Sequence, residues 1–364
     1  MLRPMTTAWF ATKGSGTNES HRIEALVSGL QNTAALPFDH TAKAGSFFQL
    51  WKAIARLRPA LLVMEGTGIA GGLACMLARL LLGTRYVVGS GDAVGPFLSA
   101  LHPMGTPVFA AYERLLCRLA SGYIGWTPYL CGRAMAFGCR RVVTAPGWVI
   151  GAGPRAGARE ELRARWGIPP DALVVGIVGS LKWNPRHRWC YGMDLIGTVR
   201  KLRRTDLCAL VVGDGSGIEY LRQAAGDALG RTIFLPGPVE LDEVMSALAA
   251  MDVGSLPQSV DGVGAYRYTT KLAEYAASGL PVITNRIPVA YDLGESWMWR
   301  LGGDSPWDPG YRRELQGFLE ALSPEAVLAK RPSLQLLHDL FSKEIQVKRV
   351  SAFLQDLLIA DQNP

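Results

Sequence analysis

The sequence predicts an α/β protein of two doubly wound domains, and three observations carry that expectation. The chain has 364 residues, more than one ordinary core serves and enough for two domains of about 150–200 residues each. Short apolar, β-rich runs alternate with amphipathic stretches of helical spacing from Thr6 to Ile283, which is the pattern of βαβ units and parallel sheets. The run GAGPRAGA at 151–158 is rich in Gly and Ala and follows neither period, so it divides the chain. The expected domains are 1–154 and 155–335, followed by a C-terminal helix over 336–364.

In the first half TTAWFAT, TAALPF, ALLVME and RYVVGS read as strands. Helices lie between them at Asn18–Leu30, Ser46–Leu57 and Ile69–Leu82, the second stopped before Pro59. A long helix from Pro107 to Gly122 follows, then YIGWTP, a helix to Gly138, and RVVTAPG. The second half opens with the helix EELRARWG and the strand ALVVGIVGS, and keeps the alternation through Ile283. Beyond Ile283 no strand is distinct and the tail reads as helices. One of these starts at Ser323 as N-cap with Pro324 at the first helical position.

Composition narrows the function classes. Apolar residues make up 49% and charged residues 19%, which is globular. Cys75, Cys117, Cys131, Cys139, Cys190 and Cys208 are scattered without CxxC spacing, so structural zinc and a disulfide framework are both disfavoured and a reducing cytosol is expected. The first residues, MLRPMTTAWFATKG, have no apolar core of signal-peptide length. The apolar run Gly68–Gly83 is too short to span a bilayer and carries Arg79, so it reads as a buried or partly membrane-touching helix.

Charge is unevenly placed. Residues 1–154 hold 14 Lys and Arg against 6 Asp and Glu, a net of +8, and the remainder of the chain is nearly neutral. The basic half is expected to face something negative: a phosphate-bearing acceptor, anionic lipid, or nucleic acid. Nucleic acid is disfavoured, because the basic residues are dispersed over helices without an aromatic platform or a reading motif.

The most specific signals lie between Asp206 and Gly279. The segment DLCALVVGDGSGIEYLRQAAG reads as strand, Gly-rich turn and helix, with Gly213, Gly215 and Gly217 in the turn. Glycines there let the backbone approach a phosphate, and the helix N-terminus favours negative charge. A dehydrogenase is disfavoured because the turn comes past residue 210 and the last glycine of a dinucleotide motif is missing. A strand ending in Phe234-Leu235-Pro236-Gly237 follows, then DEVMSALAAMD, VGSLP, PQSVDGVG and KLAEYAASGLPVI.

In that order these blocks resemble the donor-binding half of a GT-B glycosyltransferase of the large retaining group 1, family 4-like class that uses nucleotide sugars. The resemblance covers residues 8–300 in organisation and about 206–285 in specific motifs. It implies two Rossmann-like domains facing across a cleft, with a C-terminal helix returning to the first. It also implies an enzyme that hands an activated sugar to an acceptor hydroxyl and releases the nucleotide. Pro236 and Gly237 would line the base pocket, and Gly215 the donor site.

PQSVDGVG matches the family turn with Asp261 at the first acidic position, the carboxylate that contacts the sugar near its reacting end. Glu274 stands at the second, which holds the ribose diol, a role suited to a two-oxygen acceptor. The extra AYRYT puts the two acids 13 residues apart instead of 8, so Tyr266 or the backbone at Gly264 is an alternative for the first role. Lys271 at the start of the helix would reach the donor diphosphate. The first loop of the second domain has Ser180 where the family has Arg, and Lys182 and Arg186 are the compensating charges.

In the first domain the turn Lys13-Gly14-Ser15-Gly16-Thr17-Asn18 would admit sugar and acceptor through Gly14 and Gly16, with Thr17 or Asn18 capping the next helix. Asp92, just past the fourth strand, is a candidate catalytic residue lining the sugar pocket, and Glu65 stands in a similar position. No DxD motif is present, so no metal and no cofactor are expected; the nucleotide sugar (UDP-, GDP-, ADP- or TDP-linked) is a co-substrate. The expected acceptor is lipid-linked or anionic, with peripheral contact at the cytoplasmic face of the membrane. A small soluble acceptor, a GT-B-type sugar-nucleotide epimerase and a non-catalytic sugar-nucleotide binder remain as alternatives.

Overall fold

The computed structural model describes residues 6–149, 153–267, 269–292, 296–333, 335 and 340–359. Ile150 and the first two link residues, Gly151 and Ala152, lie outside that set, as do 336–339 at the start of the expected C-terminal helix. The chain divides into two compact units: Met1–Gly147 with Tyr266–Thr269 and Phe341–Pro364, and Trp148–Ala265 with Thr270–Leu340.

The first unit runs β1 (Thr7–Ala11), α1 (Asn18–Val27), β2 (Thr33–Ala35), α2 (Lys43–Leu57), β3 (Leu61–Glu65), α3 (Ile69–Leu82), β4 (Arg85–Ser90), α4 (Val94–Leu101), α5 (Thr106–Leu119), β5 (Gly122–Gly125), α6 (Pro128–Ala136) and β6 (Val142–Thr144). Its six strands are parallel in the order β2-β1-β3-β4-β5-β6. β3 is buried along its whole length, as a strand covered by helices on both faces must be. Thr17 caps α1 through a capping box with Ser20, which fulfils one of the two capping alternatives.

The helix expected from Pro107 is Thr106–Leu119, and a further helix, Val94–Leu101, precedes it unforeseen. VGPFLSAL has no charged residue and carries Gly and Pro in its first turn, so no amphipathic period announces it.

The second unit contains α7 (Ala158–Trp166), β7 (Leu173–Val178), α8 (Met193–Val199), β8 (Leu207–Val212), α9 (Ile218–Ala225), β9 (Ile233–Gly237), α10 (Val244–Ala249), β10 (Val253–Leu256), α11 (Lys271–Ala277), β11 (Val282–Asn285), α12 (Pro288–Asp292), β12 (Met298–Leu301), α13 (Pro309–Ala321) and α14 (Pro324–Ala329). Its sheet is again parallel, ordered β12-β11-β10-β7-β8-β9. β12 is a strand where none was distinct, because half-buried Trp299 and Arg300 at the sheet edge blur its pattern. Val175, Ile177, Ala209 and Val211 centre the core, closed by Leu315 and Leu319 of α13. Ser323 caps α14 with Pro324 at its first position, as expected.

The last helix, α15 (Lys343–Ile359), belongs to the first unit. The Ser351 hydroxyl donates to the Leu26 carbonyl (3.3 Å). The Phe353 ring lies where a Cβ on Gly122 would stand. Buried Gln346 both accepts from the Gly147 amide (2.7 Å) and donates to its carbonyl (2.5 Å), satisfying backbone groups that burial would otherwise leave costly. All six cysteines are buried free thiols. Among the described residues no helix is long and apolar enough to cross a membrane.

Candidate functional site

In an open parallel sheet, ligands sit beyond the carboxyl ends of the strands where the strand order reverses. In the second unit that point lies between β7 and β10, which are adjacent although two strands separate them in sequence. The loops leaving these strands are 179–192, which holds Lys182 and Arg186, and 257–270, which holds Asp261 and Gly264 and leads into α11 with Lys271 and Glu274.

Beyond β7 the backbone is drawn tight. A Cβ on Gly213 would collide with the Gly179 carbonyl, and one on Gly215 would stand 2.6 Å from the Leu181 carbonyl carbon. The Leu181 amide donates to Asp214 O, and the Gly217 amide to Leu181 O, both at 2.9 Å. The glycines after β8 therefore seat the loop after β7 directly on their own turn. Pro236 and Gly237 end β9 beside it: the Gly213 amide donates to Gly237 O (2.9 Å). Gly237 has φ +94 and open space where a side chain would be.

Lys271 reaches this floor from the first turn of α11. Its Nζ would be 2.8 Å from a Cβ on Gly179 and lies 5.4 Å from the centre of the Tyr191 ring. Gln258, 5% exposed, fixes that tyrosine by donating to its hydroxyl (2.9 Å). One turn along α11, Glu274 is held above the ordinary carboxylate range by burial, which the Lys271 charge opposes. Among the described residues nothing donates a hydrogen bond to its carboxylate.

Asp261 makes its own turn: Oδ1 accepts from the amides of Val263 (2.9 Å) and Gly264 (2.8 Å). Gly264 is required there, since any Cβ would collide with the Ser259 carbonyl. Arg186 is exposed at the tip of a small hairpin closed by paired bonds between Asn184 and Trp189. The Asn184 side chain accepts from the Arg186 amide (3.0 Å). Next to it, His187 stacks on Trp307 at 4.0 Å. Burial and the Arg186 charge lower the His187 pKa, while the Asp261 carboxylate acts the other way. Lys182 is exposed on the same loop.

The first unit has its own switch point, between β1 and β3. Gly14 (φ +92) and Gly16 (φ +73) form the turn after β1, and Lys13 Nζ bonds Glu19 at 2.7 Å. Glu65 is buried at the end of β3, held by Arg22 (3.2 Å) and the Trp126 indole (2.8 Å). Burial raises its pKa despite the Arg22 charge. Asp92 follows β4 and pairs with Arg267 (2.7 Å). Tyr266 places its ring 5.1 Å from the Arg133 guanidinium and its carbonyl accepts from the Thr127 hydroxyl (3.2 Å).

The structure thus gathers Lys182, Arg186, Gly215, Pro236, Gly237, Asp261, Gly264, Lys271 and Glu274 in the second unit. Gly14, Gly16, Asp92 and Tyr266 lie in the first. Sequence reasoning missed Gln258, Tyr191, Trp307, Glu19 and Arg267. Of these only Arg267 carried a signal, as the one charge in the AYRYT insertion.

The glycosyl transferases group 1 family model matches residues 172–296. No curated protein sequence matches the chain. Among solved structures, HepE of Anabaena in complex with UDP and glucose superposes with TM-score 0.70 at 15% identity, over 97% of this chain and 100% of its own. Sucrose-phosphate synthase of Thermosynechococcus elongatus gives 0.71 at 14%, over 98% and 100%. A putative UDP-N-acetylglucosamine 2-epimerase of Listeria monocytogenes gives 0.61 at 12%, over 100% and 99%. At these identities the likeness is one of fold.

Proposed function

We propose that the chain, a GT-B-fold glycosyltransferase with a group 1 domain at residues 172–296, moves a sugar from a nucleoside diphosphate to an acceptor hydroxyl with retention of configuration. The observation that carries the donor site is the placement of Lys271 and Glu274 on the first turn of α11, with the amine over Gly179 at the reversal of strand order. The amine and the helix N-terminus suit a diphosphate. The burial-raised carboxylate, which no donor among the described residues meets, suits the two hydroxyls of a ribose, whose O–H groups would stabilise its ionised form.

In this reading the base lies at Pro236 and Gly237, and Lys182 and Arg186 flank the diphosphate. Asp261 or the Tyr266 segment stands near the reacting carbon, Asp92 lines the sugar pocket, and Gly14 and Gly16 admit sugar and acceptor. The sugar C1–O bond to the diphosphate breaks as the acceptor oxygen bonds C1 on the same face. The leaving phosphate oxygen takes the acceptor proton. The cationic groups offset the charge that grows on the diphosphate, so neither metal nor cofactor is required. UDP is the favoured nucleotide, because HepE holds UDP-glucose and the S. aureus protein MnaA holds UDP. The acceptor is lipid-linked or otherwise anionic, in keeping with the net +8 of residues 1–154, and is met at the cytoplasmic membrane face.

A thermal-shift screen of UDP-, GDP-, ADP- and TDP-sugars tests this. One donor class should stabilise the protein by about 3 kcal/mol at a hundredfold excess over Kd, and none should be converted without acceptor. Donor turnover alone would indicate an epimerase; no stabilisation by any donor would refute the reading.

A further inference from the structure

We propose that the outer face of the helical layer α2–α3–α5, with the turn between α4 and α5 at its tip, is the surface on which this protein docks to an anionic lipid bilayer. The inference gives a place to the membrane contact proposed above and rests on that part of the reading, but it does not depend on which sugar is moved.

The three helices form one layer: α3 packs against both α2 and α5, and the Tyr112 hydroxyl of α5 donates to the Gly68 carbonyl before α3 (3.3 Å). On the inner side α3 packs against β3 and β4, and the Tyr86 hydroxyl of β4 donates to the Leu116 carbonyl of α5 (2.7 Å). The exposed side of α3 and the approach to α5 are largely apolar where solvent exposure should favour polar residues. On α3, Leu73, Leu80 and Leu81 are 45%, 65% and 66% exposed, and with Leu77 they follow i, i+4, i+7, i+8 spacing, one stripe of the helix. At the tip, Met104 is 100% exposed between Leu101 at 59% and Val108 at 68%. Scattered exposed leucines need no explanation, whereas a contiguous patch of them does.

Charge selects the occupant. From Gly68 to Ser121 the only acids are Asp92, paired with Arg267, and Glu113, buried and paired with Arg133. The exposed charges on α3 and α5 are Arg79, Arg114 and Arg118, and α2 adds Lys52 and Arg56 beside exposed Phe48. A second copy meeting this face about a two-fold axis would set these cations against their equivalents. Anionic headgroups neutralise them, and the protruding Leu101-Met104-Val108 turn then enters the acyl boundary.

The test is cosedimentation of the full chain with phosphatidylcholine vesicles, with and without phosphatidylglycerol, in the absence of any sugar nucleotide. Binding is expected with phosphatidylglycerol at low salt, weakening strongly by about 0.5 M salt as headgroup attraction is screened. Met104→Asp with Val108→Asp should lower the partition by about tenfold or more. Arg114→Gln should lower it by about fivefold. Both variants change exposed positions, so an unchanged melting temperature and unchanged donor-induced shift show that fold and donor site are intact. Absence of binding to anionic vesicles would overturn the proposal, as would variants that bind as well as the parent. A salt-insensitive dimer dispersed by Met104→Asp would also overturn it, in favour of a second copy. None of these outcomes bears on donor binding, which the nucleotide-sugar screen reads separately.

Discussion

Arg267 Nε lies 2.7 Å from Asp92 Oδ1, tying together two parts of the first unit that stand 175 residues apart in sequence. Both side chains are about a quarter to a third exposed, so solvent screens the pair. A double-mutant cycle on Arg267→Ala and Asp92→Ala should give a coupling of about 0.5–1 kcal/mol in unfolding free energy, the scale of a partly exposed ion pair. Additive single effects would show that the two side chains do not act together.

In the proposed reaction, charge on the leaving diphosphate grows toward the transition state. Lys271→Met combined with Arg186→Met should therefore lower kcat by about a hundredfold while weakening donor binding much less. Steady-state kinetics together with donor titration separates the two effects. Equal losses in both would move these cations from transition-state to ground-state binding.

The floor of the site has no room for a methyl group at Gly213, which stands against the Gly179 carbonyl with φ +141. Gly213→Ala should cost about 1–3 kcal/mol of stability, as overpacking does, and shift Lys271 with the backbone it rests on. Denaturant melts and nucleotide affinity would both fall; an unchanged midpoint would show that the two loops separate easily.

Asp194 is buried at the N-terminus of α8, accepts from the Trp189 indole (3.3 Å) and leaves Oδ2 without a partner. Burial raises its pKa from 3.8 to about 6. A carboxyl whose folded pKa is raised adds stability below its unfolded pKa and loses it as pH climbs through the folded one. The protein should gain stability on acidification from pH 7 toward pH 5 through this group, by a few kcal/mol at most. Asp194→Asn should remove that slope, which melts across the pH range would reveal.

Much of the fold was legible because its signals are local. α3 and β4 begin and end where their apolar periods do, and the Ser323 cap is written in three adjacent residues. α4 was not legible, having no polar face, and neither was β12, whose edge position mixes its burial. The second-unit site was legible in its motifs but not in its geometry. That Gly213 exists to admit the Gly179 carbonyl depends on two strands being neighbours. That Tyr266 and Arg267 belong to the first unit depends on where a five-residue insertion folds. Gln258 and Tyr191 gave no sequence signal, since a single hydrogen bond between positions 67 residues apart leaves no pattern.

The central claim is that a nucleotide sugar binds at the reversal of strand order with its ribose on Glu274. Calorimetric titration of UDP into the parent chain and into folded Glu274→Ala tests it most directly. The account predicts saturable binding to the parent, weakened in the variant by about 1–3 kcal/mol, the worth of a lost hydrogen bond to a charged group. Equal UDP affinity in the two proteins would contradict it.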